Sequence, residues 1–373
     1  MLAVVKSAPV DGPDGTEVRD CPVPKPGPGE VLIRVAAAAI CGTDKHIYHW
    51  DPSIHDSVKP PRIYGHEFCG FVEALGENAH RSFEGTLSVG DYVSAEMHVI
   101  CGECPQCRSG NGHICVRTKI YGLHEDGAFA EFVKVPASNV IKLGPYVPLR
   151  VGAFLDALGN AVHATQIVDL AGKAVAITGF GPIGAMAAAI AEHSGAATVI
   201  VTDVTDNALE TARRWAASRN FANLHCFNVK TTPADEVKKA IEAITDGIGV
   251  DVVLEMSGSP AAINFGLDIV RMGGLLSLLG LPAGHAVTIN DYTRNVIFKG
   301  VTLQGIIGRR MYSTWQRMLS LLRSGLDVEW VVQATFDSLH EFHEGISRFD
   351  RHEALKVVFF PEGEAAANAR LKK

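Results

Sequence analysis

The chain has 373 residues, of which 47% are hydrophobic and 20% are charged. This is the composition of a globular protein, and the length predicts more than one domain. The 34 basic and 41 acidic residues give a net charge of −7 with no long run of either sign, so neither a nucleic-acid partner nor a polybasic membrane anchor is expected.

Membrane insertion and export are not expected either. No apolar stretch reaches the roughly 18 residues that a membrane-spanning helix needs. The first apolar run ends at Lys6, which is too early for a secretory signal. We therefore expect a cytoplasmic protein.

The first 150 residues are rich in Gly and Pro and contain short β-branched or aromatic runs between turn residues. Such runs predict short strands in a compact, irregular β domain. The runs are Val31–Ala37, Glu67–Leu75, Asp91–Ala95 and Phe129–Val135.

After about residue 155 the pattern changes to alternating strands and helices. This alternation predicts a doubly wound parallel sheet, and therefore an α/β fold class. The predicted elements are the strands Ala174–Thr178, Thr198–Thr202, Asp251–Glu255 and Leu275–Leu279 and the helices Pro182–Ser194 and Asp206–Ser218.

The segment after Gly308 predicts one more amphipathic helix. Trp315, Met318, Leu319 and Leu322 lie on one helix face, and core packing explains this stripe. The tail from residue 362 onward is rich in Ala, Glu and Lys and is predicted to be frayed.

Four cysteines fall within fifteen positions, at Cys101, Cys104, Cys107 and Cys115. Four thiolates can enclose a tetrahedral zinc ion with no open position, and such a closed site is structural. An iron–sulfur cluster is the alternative that the spacing leaves open.

A second motif, Gly179-Phe-Gly181-Pro-Ile-Gly184, lies between a predicted strand and a predicted helix. In this context G-x-G-x-x-G predicts a turn that holds the pyrophosphate of a dinucleotide. Asp203 ends the next strand and can accept hydrogen bonds from ribose hydroxyls. A carboxylate there repels a 2′-phosphate, so NAD is predicted rather than NADP.

A third constellation combines Cys41 with His66 and Glu67. A thiolate, an imidazole and a carboxylate suit a catalytic zinc with one open position. Thr43 and His46 are three residues apart. They can carry the proton of a bound alcohol outward.

Together these motifs resemble the zinc-dependent medium-chain alcohol dehydrogenase superfamily, and within it the L-threonine 3-dehydrogenase branch. The resemblance spans residues 22 to about 358. It rests on the segments CGTDKHIYHWD, YGHEF, LGNAVH, TGFGPIGAM, TDV, LEMSG, LLGLP, VIFKG and MLSLLRSGLD and on the cysteine stretch from His98.

The resemblance implies a GroES-like β-rich catalytic domain over 1–155 and a Rossmann domain over 156–300. Residues 301–373 would return to complete the catalytic domain. It also implies NAD, two zinc ions per subunit and a homotetramer.

Further site residues follow from the resemblance alone. Asp156 matches an acid beside the catalytic metal, and His98 matches a histidine of the substrate pocket. The positions that match NAD contacts besides the glycines and Asp203 are Ile183, Leu279, Gly280, Leu281, Ile306 and Ile307.

The implied activity is zinc- and NAD-dependent oxidation of L-threonine to 2-amino-3-oxobutanoate. Four positions depart from the branch, at Ala157, Ala208, Ile307 and Arg310. Where Ala208 stands, the branch has an arginine that can flank the adenine, and Arg213 or Arg214 could take over that role. A polyol or vicinal-diol dehydrogenase is the alternative substrate class. A non-catalytic zinc- and dinucleotide-binding protein is the alternative from another class, although it has no need of a proton relay.

The aromatic and acidic groups of Thr43–Asp51 are expected to line the site and favour a substrate ammonium.

Overall fold

The computed structural model describes residues 1–282, 284 and 286–372. The chain forms two compact units. Unit 1 comprises Met1–Ala157, Arg310–Gly325 and Glu329–Lys373, and unit 2 comprises Leu158–Arg309 and Leu326–Val328.

Unit 1 begins with short strands and short helices. In chain order these are β1 (Leu2–Lys6), β2 (Thr16–Asp20), β3 (Glu30–Ala39), α1 (Gly42–Tyr48), β4 (Arg62–Ile63), β5 (Phe68–Leu75), β6 (Arg81–Ser82), β7 (Gly85–Thr86), β8 (Tyr92–Ala95), β9 (His98–Val99), α2 (Pro105–Arg108), β10 (Lys119–Ile120), β11 (Phe132–Pro136), β12 (Val140–Lys142) and α3 (Leu149–Gly152). Helix α4 (Leu155–Thr165) follows, and its residues from Leu158 onward belong to unit 2.

Unit 2 contains the predicted alternation of strands and helices. Its further elements are β13 (Ala174–Thr178), α5 (Pro182–His193), β14 (Thr198–Asp203), α6 (Asp206–Ser218), β15 (Leu224–Asn228), α7 (Ala234–Ile244), β16 (Val250–Glu255), α8 (Pro260–Ile269), β17 (Val270–Leu278) and β18 (Thr302–Gly305).

The end of the chain returns to unit 1. It supplies α9 (Ser313–Arg323), β19 (Val332–Phe336), α10 (Phe342–Asp350), β20 (Lys356–Phe359) and α11 (Glu364–Leu371).

A seven-stranded sheet is the centre of unit 1. Its strands run in the order β12-β8-β5-β3-β20-β19, with β11 also paired to β3. Strand β20 runs antiparallel to β3, with Val358 opposite Ala39. Aromatic rings pack beside this sheet, with the Phe129 ring centroid 5.2 Å from that of Phe342 and 6.1 Å from that of Phe359.

The sheet of unit 2 has six strands in the order β15-β14-β13-β16-β17-β18, and all neighbouring pairs are parallel. The central strands read as continuous apolar runs because helices cover both faces of such a sheet. Pro182 opens α5, where its missing N–H costs no hydrogen bond. The predicted α/β class, a β-rich domain plus a doubly wound parallel sheet, is confirmed.

The two edge strands of the parallel sheet were not predicted. All residues of β15 are partly exposed, and all residues of β18 are exposed. An edge strand need not carry a buried apolar run, so its sequence gives a weak signal. Strand β18 also extends this sheet beyond residue 300, the predicted end of the Rossmann domain.

The prediction of a frayed tail is wrong. Residues Glu364–Leu371 form α11. Arg150 fixes the start of this helix, because its Nε and Nη2 atoms donate to the two carboxylate oxygens of Glu364 at 2.6 and 2.9 Å. The polar composition hid this long-range pair, which lies in unit 1.

Among the residues described, no helix combines the length and the apolar character needed to cross a bilayer.

Candidate metal and cofactor sites

The four clustered cysteines meet in a loop lobe between β9 and β10. Four of the distances between their Sγ atoms lie between 3.4 and 4.0 Å, and none of these residues forms a disulfide. Sulfur atoms that share one tetrahedral zinc ion at about 2.3 Å lie about 3.8 Å apart. The lobe therefore fits a single closed metal site. It does not fit an iron–sulfur cluster, whose ligand sulfurs bind different iron atoms and stand farther apart.

Arg117 brings a positive charge to this lobe. Its Nη2 atom donates to Cys101 Sγ and to Glu103 Oε2, both at 3.3 Å. Backbone N–H groups of Glu103 and Cys104, assisted by this guanidinium, lower the pKa of Cys101 to about 5. The Cys101 side chain is therefore a thiolate at neutral pH, which is the form that binds zinc.

A second donor set lies in the same unit. One ligand atom each from Cys41, His66 and Glu67 lie within 4.8 Å of one another. Cys41 precedes α1 and forms a reciprocal cap with Asp44, because the Cys41 N–H donates to Asp44 Oδ2 at 2.8 Å and the Asp44 N–H donates to the thiol. This capping box fixes the direction of the Cys41 side chain.

Gly65 allows His66 and Glu67 to reach the site. It lies between β4 and β5 with a φ of +100°, a conformation that favours glycine. A Cβ atom at Gly65 would stand 2.6 Å from the Phe129 ring and 2.9 Å from the Phe129 nitrogen. The chain can therefore turn against Phe129 only with glycine at this position.

Negative charge is concentrated around His66. Burial acts to lower the pKa of this imidazole, but the Cys41 thiolate and the carboxylates of Asp44 and Asp156 together raise it to about 10. The Asp44 Oδ1 and His66 Nδ1 atoms are 3.9 Å apart, and each is buried without a hydrogen bond among the described residues. A divalent cation would balance this charge, so the donor set fits zinc.

The two carboxylate oxygens of Glu67 have different surroundings. The residue is fully buried, and Lys356 Nζ donates to Oε2. Burial raises the pKa of Glu67, and the Lys356 charge opposes that shift. Oε1 has no hydrogen-bond partner within the described part of the chain. One oxygen is thus neutralised by lysine, and the other remains for a metal.

A third cluster contains two predicted residues, His98 and Asp156, together with Glu96, which was not predicted. Their ligand atoms also lie within 4.8 Å of one another. The buried Glu96 carboxylate lies 2.9 Å from His98 Nδ1 and accepts from Trp315 Nε1 at 2.8 Å. Trp315 thus fixes Glu96, and Glu96 in turn fixes His98, whose side chain is 23% exposed.

The two predicted relay residues lie on α1. Thr43 Oγ1 is 4.0 Å from Cys41 Sγ, which places this hydroxyl beside the candidate metal site. The His46 side chain is 52% exposed, and its Nδ1 atom is 3.5 Å from Asp51 Oδ2. Of the two predicted relay residues, Thr43 thus lies beside a candidate metal ligand, and His46 faces solvent.

The expected aromatic lining from this segment is not found. Tyr48 is buried in the core, and its hydroxyl is 3.0 Å from His343 Nδ1. The Trp50 ring stacks on the His55 ring at 4.7 Å. Tyr48 is held in the core because the helix turns its Ile47–Tyr48 face inward. Trp50 lies beyond the end of the helix and packs on His55.

In unit 2 the glycine motif forms the predicted turn between β13 and α5. Gly179 has a φ of +91°, and a Cβ there would stand 2.9 Å from Ser257 Cβ. A Cβ at Gly184 would stand 2.0 Å from the Gly179 oxygen. Gly181 precedes the helix, with nothing within 4 Å of a Cβ at that position. This open space allows a ligand to approach the backbone.

Asp203 ends β14 beside this turn. Its Oδ2 atom accepts from the Phe180 N–H at 2.7 Å, and Oδ1 accepts from the N–H and hydroxyl of Thr205, each at 2.9 Å. Asp203, the residue predicted to bind the ribose, therefore also fixes the glycine turn through Phe180.

The other predicted cofactor residues lie at the same edge of the sheet. Ile183 is in the first turn of α5 and is partly exposed. Leu279 and Gly280 follow β17, and Leu281 is 84% exposed. Ile306 follows β18, is buried, and donates its N–H to the Leu278 oxygen at 2.9 Å, whereas Ile307 is exposed.

Two arginines could take the place of the branch arginine missing at Ala208, but both make contacts on the surface of α6. Arg213 Nη1 lies 3.6 Å from Glu210 Oε2, and Arg214 Nη2 donates to Thr211 Oγ1 at 3.2 Å. Of the remaining departures, Ala157 is buried and Arg310 is exposed.

Three residues that the sequence reasoning missed support these sites. Asp44 and Glu96 stand next to predicted residues, so their acidic character beside a metal motif was the available signal. Lys356 has no such local signal, because it reaches Glu67 across 289 positions of the sequence.

Two family models match the chain. Residues 27–145 match the alcohol dehydrogenase GroES-like domain, and residues 182–324 match the zinc-binding dehydrogenase domain. The chain belongs to the zinc-binding alcohol dehydrogenase family.

Similar proteins cover almost the whole chain. The L-threonine 3-dehydrogenase of Caldanaerobacter subterraneus subsp. tengcongensis is 44% identical over 97% of this chain and 99% of its own length. That of Bacillus subtilis is 41% identical over 97% of this chain and 99% of its own length. Among solved structures, an alcohol dehydrogenase of Thermotoga maritima has a TM-score of 0.86 at 27% identity, covering 97% of this chain and 99% of that one. The enzyme TADH of Thermus sp. ATN1 has a TM-score of 0.82 at 30% identity, covering 97% of this chain and all of that one.

Proposed function

We propose that this protein oxidises the secondary alcohol of L-threonine to 2-amino-3-oxobutanoate while NAD⁺ is reduced. The observation that carries the proposal is the convergence of the partly exposed Cys41 and the buried His66 and Glu67 into one donor set. The relatives of nearly equal length, which are L-threonine 3-dehydrogenases at 41 to 44% identity, support this substrate.

Two zinc ions per subunit are part of the proposal. The four cysteines would hold one ion in a closed structural site, and Cys41, His66 and Glu67 would hold the other. When bound in the second site, zinc supplies a Lewis acid that lowers the pKa of an alcohol. Asp44 and Lys356 orient two of its ligands, through Cys41 and Glu67 respectively.

The protein's own groups move the alcohol proton. The Thr43 hydroxyl, which lies beside Cys41, would accept this proton and release its own hydroxyl proton toward His46. His46 lies three residues farther along α1 and is exposed, so its imidazole can receive the proton and release it to water. A non-catalytic binding protein would have no use for this arrangement.

NAD is the proposed cofactor. The turn from Gly179 to Gly184 would hold the pyrophosphate against the N-terminus of α5. The Asp203 carboxylate would accept hydrogen bonds from the adenosine ribose, and the segments Leu279–Leu281 and Ile306–Ile307 would contact the nicotinamide half. The open space around Gly181 supports this assignment.

The substrate's ammonium group would meet negative charge in unit 1. Asp156 and Glu96 provide it, and His98, held by Glu96, would line the substrate pocket. A neutral polyol or diol gains less from such a lining than an amino acid does.

We further propose a cytoplasmic homotetramer. All eight cysteines are free, as expected in a reducing compartment. In unit 2 the side chains of Met272 and Phe298 are 73% and 74% exposed, and β18 is an exposed edge strand. Apolar side chains and an unpaired edge are features of subunit interfaces.

Steady-state assays test the function. NADH formation should be fastest with L-threonine, and kcat/KM with D-threonine, sorbitol or 2,3-butanediol should be lower by about 30-fold or more. A diol that reacts faster than L-threonine would contradict the substrate and keep the zinc–NAD chemistry. Absence of turnover with every alcohol, together with intact NADH binding, would favour the non-catalytic alternative.

A further inference from the structure

A buried carboxylate lies at the edge of the parallel sheet, and the proposed mechanism does not use it. Glu255 is the last residue of β16 and is fully buried. Its Oε1 atom accepts three close hydrogen bonds, from the Ser257 N–H at 2.8 Å, the Ser257 hydroxyl at 2.6 Å and the Gly258 N–H at 2.9 Å. The carboxylate thus fastens the turn formed by Ser257 and Gly258.

This turn touches the phosphate-binding turn on one side. A Cβ added to Gly179 would stand 2.9 Å from Ser257 Cβ and 3.1 Å from the Ser257 nitrogen. The Met256 N–H donates to the Thr178 oxygen at 2.9 Å. Movement of Ser257 would therefore displace the backbone at Gly179.

The same turn touches the segment after β17 on its other side. A Cβ at Gly280 would stand 2.0 Å from the Gly258 nitrogen and 2.7 Å from Glu255 Oε2. A Cβ at Gly258 would stand 2.3 Å from the Leu281 oxygen. The N–H groups of Leu279 and Gly280 both donate to the Glu255 backbone oxygen, at 3.0 and 3.1 Å.

The Ser257–Gly258 turn lies between two other turns at the carboxyl edge of the sheet. Strands β13, β16 and β17 are neighbours, so their three following turns lie side by side at the carboxyl edge. Under the proposed function, on which this inference rests, the first turn holds the pyrophosphate of NAD and the third contacts its nicotinamide half. The middle turn has no assigned ligand.

We propose that Glu255 is a positioning residue for the dinucleotide. Its carboxylate fixes the Ser257–Gly258 turn, and this turn sets the spacing between the Gly179 and Gly280 turns. A ligand that spans both outer turns depends on that spacing. A ligand that binds only the pyrophosphate turn does not.

NADH and ADP-ribose provide the test, because ADP-ribose lacks the nicotinamide. In Glu255→Ala, the Kd of NADH should rise by about 10-fold, because the variant loses the three hydrogen bonds that hold the Ser257–Gly258 turn. The Kd of ADP-ribose should change by less than about two-fold. NADH binding is measured by fluorescence titration of the full-length protein, and ADP-ribose binding is measured by competition.

Two further variants keep the test decisive. In Glu255→Gln the amide oxygen can accept the same three hydrogen bonds, so the Kd of NADH should stay within about three-fold of the unmodified protein. Should Glu255→Ala fail to fold, Ser257→Ala removes the shortest of the three bonds and should weaken NADH alone, by about three-fold. Glu344→Ala, which removes an exposed ion pair with Arg348 on α10, is the control and should bind both ligands normally.

Equal weakening of NADH and ADP-ribose would show general loosening of the sheet and would overturn the proposal. Unchanged NADH binding in Glu255→Ala, or a Gln variant as weak as the Ala variant, would overturn it too. An unmodified protein that binds no NADH would instead contradict the cofactor assignment itself, and with it this inference.

Discussion

Lys356 Nζ donates a hydrogen bond to Glu67 Oε2 in the interior of unit 1, and a second one to the Ile40 oxygen at 2.9 Å. Both side chains are almost completely inaccessible to solvent. Burial acts to lower the pKa of Lys356, but the charges of Glu67 and Cys41 raise it above the ordinary value. The lysine is therefore charged and balances part of the negative charge of the candidate catalytic site.

Replacing Lys356 with Met should destabilise the metal-free protein. The variant leaves Glu67 as an unpaired buried charge, which costs about 3–5 kcal/mol and should lower the melting temperature by roughly 5–10 °C. Scanning fluorimetry after chelator treatment measures this change. Lys119→Met removes an exposed ion pair with Glu125 and should leave melting nearly unchanged. Equal melting of the two variants would show that the buried pair makes no net contribution.

The two cysteine-containing sites should respond differently to substitution. Cys107→Ser or Cys115→Ser opens the closed site, so metal content should fall from two zinc ions to one per chain and the melting temperature should fall. Cys41→Ser should abolish turnover with a smaller effect on melting, since this site keeps an open position. Metal analysis and melting curves check both statements, with Cys226→Ser as the control. One zinc in the unmodified protein would contradict the assignment of two sites.

Local sequence patterns predicted the elements that are buried and continuous. The strand Ala174–Thr178 and the helix Asp206–Ser218 match the structure to the residue. The cysteine cluster and the glycine motif were also visible because their members are close in sequence. Pairs of distant residues left no such signal, which is why Lys356 and the docked α11 were missed. The edge strands β15 and β18 gave no such signal either, because their residues are partly or fully exposed and need no apolar run.

The proton relay should affect the rate more than substrate binding. His46→Ala removes the group proposed to release the proton to water, while Thr43 and the proposed metal ligands remain. We expect kcat to fall by about 10²-fold with less than about three-fold change in KM. Steady-state kinetics with L-threonine measure both constants, and His80→Ala, another exposed histidine, serves as the control. A variant whose KM rises while kcat is retained would place His46 in substrate binding instead.

The stability that His49 contributes should depend on pH. Its two ring nitrogens face Asp11 at 2.8 Å and Asp350 at 2.6 Å. Partial burial acts to lower its pKa, but these carboxylates outweigh it and raise the pKa above the ordinary value. A raised folded-state pKa means that the stabilisation is complete below about pH 6.5 and is lost as pH rises through the raised value.

His49→Gln should therefore melt below the unmodified protein at pH 5.5, and the gap should close at alkaline pH. Because the side chain is 39% exposed, screening limits the gap to less than about 1 kcal/mol. Melting curves from pH 5.5 to 9 measure it. A gap that widens with rising pH would mean that the neutral imidazole is the stabilising form.

Substitutions of Asp203 can separate two effects of this residue: its negative charge, which affects the choice between NAD⁺ and NADP⁺, and its hydrogen bond to the glycine turn. The unmodified protein should prefer NAD⁺ over NADP⁺ by at least about 10²-fold in kcat/KM, because the carboxylate repels a 2′-phosphate. Asp203→Ala should narrow this preference, but it also removes the acceptor of the Phe180 N–H in the glycine turn, so affinity for both cofactors should fall. Asp203→Asn keeps an oxygen acceptor for that N–H and removes the charge. Asp203→Asn should reduce the preference for NAD⁺ over NADP⁺ about as much as Asp203→Ala does, with a smaller loss of NAD⁺ affinity. Kinetics with both cofactors distinguish these effects, and equal use of NAD⁺ and NADP⁺ by the unmodified protein would show that Asp203 does not face the ribose.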